Sequence, residues 1–142
     1  MTTKRTLIVK ALAEKLKGIT KEAGYETNLY GNVKERLIFP SDDPELPMVC
    51  LSSGSETITY QPGNFQDRYL QVLIRFYVES QDDVILAQEN IIKDIEKVVE
   101  DNSKLSLGDS TSVRDIKIQL IDTDQGVLHP LGTGEIQLVV EY

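Results

Sequence analysis

Apolar side chains recur along the N-terminal part of the chain with the spacing of a helix. Between residues 8 and 23 they lie on one predicted stripe, formed by Ile8, Leu12, Leu16, Ile19 and Ala23. Lysine and glutamate side chains fall between them and would face water. Gly24 is expected to end this helix, because glycine readily takes the left-handed conformation that follows many helix C-termini.

A period of two marks the clearest strand, over residues 69–79. One face of this strand is predicted to be buried and consists of Leu70, Val72, Ile74, Phe76 and Val78. The opposite face alternates polar residues with Tyr69, Leu73 and Tyr77. Partial cover of this second face is expected, since it would otherwise expose its apolar groups to water.

Residues 83–101 return to helical spacing and predict a second helix. Ser80 is expected to cap this helix, and the acidic Asp83 would favour its N-terminus. Its inward stripe is predicted to contain Ile85, Gln88, Ile92, Ile95 and Val99, widened by Val84, Ile91 and Val98.

The chain between the first helix and the strand at 69–79 has a weaker pattern. Residues 36–39 are interpreted as a short strand, and the proline-containing residues 40–47 as an extended polar loop. Residues 48–51 and 57–60 are rich in residues that favour strands. They are interpreted as a hairpin around the turn sequence at 52–55.

Two further strands are predicted near the end of the sequence. The first carries Ile116, Ile118 and Leu120 at alternate positions, and the second carries Ile136, Leu138 and Val140. The residues from 122 to 134 between them are predicted to form a long loop. Loops of this length in compact domains are often functional.

The predicted order of elements is α-β-β-β-α-β-β. Runs of strands with separate helices favour an α+β fold, with a mainly antiparallel β-sheet and both helices packed on one face. No segment resembles a linker, so residues 1–142 are expected to form a single domain.

Composition narrows the functional classes. The chain has 142 residues, of which 40% are hydrophobic and 27% charged, values typical of a folded protein rather than a disordered one. With 23 acidic and 15 basic residues the net charge is −8, and such a surface would repel nucleic-acid phosphates. No apolar run is long enough for a transmembrane helix or a secretory signal, so no membrane partner is expected.

Few residues are available for catalysis. Cys50 is the only cysteine and His129 the only histidine, so a nucleophile and base pair would have to use His129. Cys50 lies in an apolar run, where a structural role is the better interpretation. His129 precedes a proline in the long loop, where a turn or interface role is preferred. We therefore predict no catalytic residue and no cofactor.

Carboxylate pairs occur at positions 42 and 43, 82 and 83, and 122 and 124. Metal ions and hydrolases use such pairs, but a proline loop, a helix start and a strand end explain them more simply. The spacing of Asp122 and Asp124 begins like a calcium loop, yet Thr133 stands where that loop needs glutamate. Gly132-Thr133-Gly134 is too short for a phosphate loop. No metal site is predicted.

Three features resemble the tail terminator (tail completion) proteins of long-tailed bacteriophages. The first is the N-terminal amphipathic helix followed by a proline-containing segment that ends in the strand at 47–51. The second is the long strand at 68–78 leading directly to the helix at 83–101. The third is the C-terminal unit, in which residues 122–126 and 130–132 precede a strand at 136–142. Together they cover most of the chain.

This resemblance implies a structural virion protein that forms a homohexameric ring around a channel. Such a ring would cap the head-proximal end of the tail tube, stop its polymerisation and offer a docking surface for the head. The implied partners are other copies of the chain, the tail tube protein and a neck or head-completion protein. DNA would pass through the channel without specific binding. The implied location is the virion tail, after assembly in the host cytoplasm, and the implied protein is not an enzyme.

Candidate interface residues come first from the mixed face of the strand at 69–79. Tyr69, Leu73 and Tyr77 would contact a neighbouring protomer, or they would pack under the protein's own loops. Both interpretations are kept at this point.

The loop at 122–134 supplies the other candidate interface residues, Asp122, Asp124 and His129. Two further functions stay open. One is a neighbouring neck or head-completion protein of similar size and acidity. The other is a small ligand-binding or enzymatic α+β domain whose site would lie around Asp122, Asp124 and His129.

Overall fold

A computed structural model describes residues 3–29, 31–37, 46–108 and 110–142. The elements within them are α1 (Lys4–Leu16), β1 (Val33–Lys34), β2 (Met48–Gln61), β3 (Phe65–Glu79), α2 (Val84–Asp101), β4 (Asp115–Thr123) and β5 (Leu131–Glu141). The strands form one sheet in the order β1-β2-β3-β5-β4. All neighbours are antiparallel except β1 and β2. The predicted α+β class and element order are confirmed.

The core lies between one face of the sheet and the two helices. In the described parts of the chain, both helices pack on this face, where β3 contributes the five residues predicted from its alternation. Burying each large apolar side chain stabilises the fold by about 1.5–3 kcal/mol. The buried residues that the helices contribute include Ile8, Leu12, Leu16, Ile91, Ile95 and Val98.

α1 is shorter than predicted. It ends at Leu16, after which the N–H groups of Gly18 and Ile19 bond carbonyls three residues back, at 3.2 and 3.1 Å. Glycine disfavours the helical conformation, so Gly18 accounts for the early end. Ile19 is still buried, but Ala23 is exposed, and Gly24 lies in a separate turn with φ +95°.

The hairpin predicted over residues 48–60 is wrong, because β2 is one strand of 14 residues. Ser53 pairs with Val72 and Glu56 with Leu70, so β2 holds one more residue than β3 in this interval and forms a bulge. The hairpin turn lies at residues 62–64 instead. The polar residues 52–55 resemble a turn in the sequence, but pairing with β3 holds them in the sheet.

The short strand predicted at 36–39 is not found at Arg36 and Leu37. Its other two positions, and most of the loop at 40–47, lie outside the described residues. The short strand is β1, whose Val33 and Lys34 pair in parallel with Val49 and Cys50. Two residues are too few to show a period in the sequence.

The cap of α2 is Asp83 rather than Ser80. The Asp83 carboxylate accepts a hydrogen bond from the N–H of Leu86 at 3.0 Å, while the Ser80 hydroxyl accepts one from the N–H of Asp83 at 3.1 Å. The predicted inward stripe is buried except for Ile85, which is 52% exposed and lies beside Gly126.

β4 contains a second bulge. Ile118 pairs with Leu138 and Leu120 with Gln137, so Gln119 is an extra residue. The bulge turns Leu120 to the face opposite Ile118, and the predicted alternation through Leu120 is wrong. The predicted loop is also too long, since β4 continues to Thr123 and β5 begins at Leu131.

Candidate functional site

The face of the sheet opposite the helices, here called the open face, carries four of the predicted interface residues, Tyr69, Leu73, Tyr77 and Asp122. In the described parts of the chain neither helix packs on it. Its members are alternate residues that share the register of β3, β5 and β4. They include Tyr69, Leu73, Arg75, Tyr77, Glu135, Gln137, Val139, Lys117, Leu120 and Asp122.

The three candidates on β3 differ in how far their own chain covers them. Tyr69 and Leu73 are half-buried, whereas Tyr77 is 5% exposed and packs with Met48 and Cys50 of β2. Tyr77 therefore packs against β2 of its own chain, and an interface role for it stays a prediction. The contact of Tyr69 and Leu73 with another protomer stays a prediction.

An ion pair crosses the middle of the open face between β3 and β5. The guanidinium of Arg75 donates to Glu135 Oε1, from Nε at 3.0 Å and from one terminal nitrogen. This hydrogen bonding raises the pKa of Arg75. Burial raises the pKa of Tyr77, although a hydrogen bond with Arg75 acts in the opposite direction. The sequence gives no sign of this pair, because it depends on the register of β3 against β5.

A groove of about 390 Å³ lies at the end of the open face that is nearest to the β4–β5 turn. We call it the end groove. Its apolar lining comes from Tyr77, Leu128 and Leu131, and its charged lining includes the Arg75–Glu135 pair and Asp122. Leu128 is 54% and Leu131 36% exposed, so the groove presents apolar surface to solvent.

Asp122 and Asp124 both border the end groove but bind different groups. Asp122 Oδ1 accepts a hydrogen bond from the N–H of Thr123 at 3.0 Å. Asp124 Oδ1 accepts hydrogen bonds from the side chain of Gln88 in α2 and from the N–H of Gly126. Asp124 thus fastens the β4–β5 turn to α2. Direct contact of either residue with a partner stays a prediction.

His129 and Cys50 occupy contrasting environments. His129 is exposed in the β4–β5 turn, where its N–H bonds the carbonyl of Gly126 at 3.1 Å. Cys50 is fully buried, and its Sγ lies 3.6 Å from the carbonyl oxygen of Arg75. An interface role for His129 stays a prediction.

The Gly132-Thr133-Gly134 sequence has a packing role. A Cβ atom at Gly134 would lie 2.6 Å from the carbonyl oxygen of Asp122 and against the ring of Phe76. A Cβ atom at Gly132 would lie 2.8 Å from Val84 and 2.7 Å from the Gln88 amide of α2. Both glycines therefore permit a close approach, and Gly132 lets α2 pack directly on β5.

Two exposed aromatic residues flank the β2–β3 turn and were missed by the reasoning from sequence. Tyr60 and Phe65 are each 70% exposed. The sequence signal was present, since both residues flank the break at Gln61-Pro62-Gly63-Asn64. Exposed aromatic side chains are enriched at protein interfaces.

Among the described residues, no group of three or more histidine, cysteine, aspartate or glutamate side chains could hold a metal ion. In the same residues, no helix is both long enough and apolar enough to cross a membrane.

The fold is shared with a chain from a solved virion structure. A chain in a solved structure titled "Virion of native gene transfer agent (GTA) particle" superposes with a TM-score of 0.63. The alignment covers 94% of this chain and 92% of the other, at 10% sequence identity. At this identity the likeness establishes the fold and no more.

The sequence comparisons define the family. The model described as "Bacteriophage Tail Tube Terminator Protein" matches residues 2–142. The tail tube terminator protein p142 of Escherichia phage T5 is 30% identical in a 126-residue alignment that covers 83% of this chain and 78% of the relative. The chain belongs to the bacteriophage tail tube terminator family, so the predicted resemblance is confirmed.

Proposed function

We propose that this protein forms a homohexameric ring that caps the head-proximal end of a phage tail tube. Membership of the tail tube terminator family is the observation that carries this proposal. The exposed Leu120 of the open face and the exposed aromatic side chains beside the β2–β3 turn support it, because a subunit that works alone would leave these apolar side chains in water.

Capping has a physical requirement that the subunit can meet. A protein that stops a polymer has to bind its last ring without presenting a copy of the surface that recruits the next one. Contacts between different surfaces of identical subunits close into a ring when the rotation between neighbours is correct. One side of the ring would then bind the tail tube, and the other would dock the neck or head-completion protein.

The proposed role needs no bond-breaking chemistry and no cofactor. The ring would act in the virion tail, after assembly in the host cytoplasm, with residues 1–142 as one domain. DNA would pass through its channel without being held, because a net charge of −8 per subunit repels phosphates.

Native mass spectrometry of the purified protein, followed by negative-stain microscopy with isolated tail tubes, tests the proposal. A hexameric mass and rings at one end of each tube are expected. Attachment to heads but never to tubes would instead indicate a head-completion protein. A monomer that does not bind tail tubes and catalyses the conversion of a small molecule would overturn the proposal.

A further inference from the structure

The tip of the β2–β3 hairpin, defined as residues 60–66, projects beyond its neighbours in the sheet. β5 ends opposite Tyr69, and Arg68 and Tyr142 exchange two backbone hydrogen bonds of 3.2 and 2.9 Å just beyond it. From there to the turn, β2 and β3 have only each other as strand partners in the described chain. The tip is therefore a free two-stranded ribbon.

This ribbon has an aromatic ring on each of its faces. Phe65 pairs with Gln61 and Tyr60 pairs with Gln66, so the two rings point to opposite sides. Both side chains are 70% exposed. A ribbon with a ring on each side buries both of them only when it enters a groove, because a flat surface would cover one ring and leave the other in water.

The end groove has a volume and a lining that suit aromatic side chains. Its volume of about 390 Å³ lies in the range of sites that enclose groups of a few rings. Tyr77, Leu128 and Leu131 provide apolar contacts, and two of these three side chains are substantially exposed. Filling the groove would therefore remove apolar surface from water on both sides of the contact.

A molecule cannot place its tip in its own groove. Phe65 and Tyr77 are twelve residues apart on β3, which corresponds to about 40 Å along an extended strand. β3 is continuous over this length, so the tip and the groove lie at opposite ends of the sheet. Any tip that enters the groove belongs to another copy of the chain.

The charges are compatible with this occupant. Among the described residues that line the groove, Asp122, Asp124 and Glu135 are acidic and Arg75 is the one basic side chain, so an acidic partner would be repelled. The tip sequence Tyr-Gln-Pro-Gly-Asn-Phe-Gln carries no charge, but it has three side-chain amides. Amide N–H groups donate hydrogen bonds to carboxylates. On a chain with a net charge of −8 this neutral segment is suited to an acidic groove.

We propose that the tip of one copy inserts Tyr60 and Phe65 into the end groove of the next copy. The inference rests on the ring assembly proposed above and names the contact that would close it. The contact joins two different surfaces, so it is head-to-tail and can repeat around a ring.

The size of this contact explains why a closed ring would be favoured over a dimer. Two aromatic side chains at 70% exposure would bury on the order of 300 Å² of the tip. Stable complexes bury about 800 Å² on each partner. One contact is therefore weak, whereas in a closed ring each copy makes two of them.

Sedimentation velocity over a range of concentrations tests the contact with two variants. The tip variant carries Tyr60→Thr and Phe65→Thr, and the groove variant carries Leu128→Ser and Leu131→Thr. Each is expected to raise the concentration for half-assembly by roughly tenfold or more. Leu86→Gln is the matched control, since Leu86 is 56% exposed on α2 and does not line the groove. Circular dichroism checks that all the variants fold.

An equal mixture of the tip and groove variants gives a sharper result. The tip variant keeps the wild-type groove, and the groove variant keeps the wild-type tip. Each mixed pair can therefore make one contact, but no third copy can be added to it. Because one contact is weak, the mixture is compared with each variant alone at concentrations well above that for half-assembly of the wild type, where more dimer but no larger species is expected. A mixture with no more dimer than either variant alone at those concentrations would contradict the contact.

The remaining outcomes separate this contact from the proposed function. If both variants assemble like the wild type, the tip-to-groove contact is overturned and the ring proposal stands. If the wild type stays monomeric both alone and with tail tubes, the ring proposal fails and the contact fails with it.

Discussion

At the scale of single residues, two glycines of β5 set how closely the layers of the molecule approach. Gly134 lies against the Phe76 ring, and Gly132 lies against Val84 and Gln88 of α2. Any side chain at these positions would enter space that another atom occupies. Because the carbonyl of Asp122 belongs to the neighbouring strand, the sheet cannot relieve the crowding at Gly134 by rotating a side chain.

Gly134→Ala is expected to lower the free energy of unfolding by about 1–3 kcal/mol, the usual cost of overpacking a core. Urea denaturation followed by circular dichroism measures the change. Gly54→Ala is the matched control, because a Cβ atom at Gly54 would lie 3.6 Å from the Gln71 carbonyl oxygen, an ordinary contact distance. Equal stabilities of the two variants would contradict this account.

Asp124 and Asp122 are neighbouring carboxylates whose contributions to stability are expected to differ. Asp124→Ala removes the acceptor of the Gln88 amide, which is 1% exposed and is left with a 3.5 Å contact to the Thr133 carbonyl. A buried donor without a good acceptor costs about 1–3 kcal/mol, and we expect this loss in urea denaturation. Asp122→Ala removes only an acceptor at the surface, so its stability should change by less than about 0.5 kcal/mol.

At the scale of elements, bulges decide which side chains reach each face of the sheet. The bulge in β2 keeps Val49 and Leu51 before it, and Ile58 and Tyr60 after it, on the side of the sheet that bears the helices. The bulge in β4 sends Leu120 to the open face, where it is 49% exposed. Assigning faces by simple alternation therefore fails beyond each bulge.

The start of α2 gives a prediction at the same scale. Asp83→Ala should destabilise the fold by about 1 kcal/mol, because it removes the cap that accepts the N–H of Leu86. Asp82→Ala is the control, since Asp82 is an exposed residue outside the helix. Thermal denaturation followed by circular dichroism compares the two variants. A larger loss of stability for Asp82→Ala than for Asp83→Ala would show that the helix is capped differently.

The sequence predicted the elements that have a strong hydrophobic periodicity. It missed those that are held in place by pairing with neighbouring strands. The alternation of β3 predicted both its core face and the location of Tyr69 and Leu73 on the open face. β1 has two residues, and the middle of β2 is a polar segment that is held in the sheet by β3. The Arg75–Glu135 pair and the end groove depend on the register between strands, which local sequence does not specify.

At the scale of the whole molecule, several tyrosines favour the protonated form in the folded state. Burial raises the pKa of Tyr25, Tyr77 and Tyr142 above the ordinary value of 10.0. The hydroxyl of Tyr142 also donates a hydrogen bond to Glu56, which raises its pKa further. When pH rises through 10, the unfolded chain loses these protons before the folded one does, so stability falls.

Tyr142→Phe is expected to make this alkaline loss of stability shallower. The variant should be less stable than the wild type at pH 8, by about 1 kcal/mol for the lost hydrogen bond, with the difference narrowing towards pH 11. Urea denaturation at pH 8, 9.5 and 11 measures both effects. Tyr60→Phe, which removes an exposed hydroxyl, is the control, and a constant difference between Tyr142→Phe and the wild type would contradict the prediction.

Gly54 and Ser55 lie opposite the single residue Gln71, so the β2 bulge can change the direction of the hairpin separately from the rest of the sheet. Deleting one of these two residues would leave Ser53 opposite Val72 and Glu56 opposite Leu70, so every other partnership along β2 would be kept. Only the local bend and twist would change. In the proposed ring, such a deletion would alter the direction of the Tyr60 and Phe65 side chains, and so the angle between neighbouring subunits, without replacing any contacting side chain.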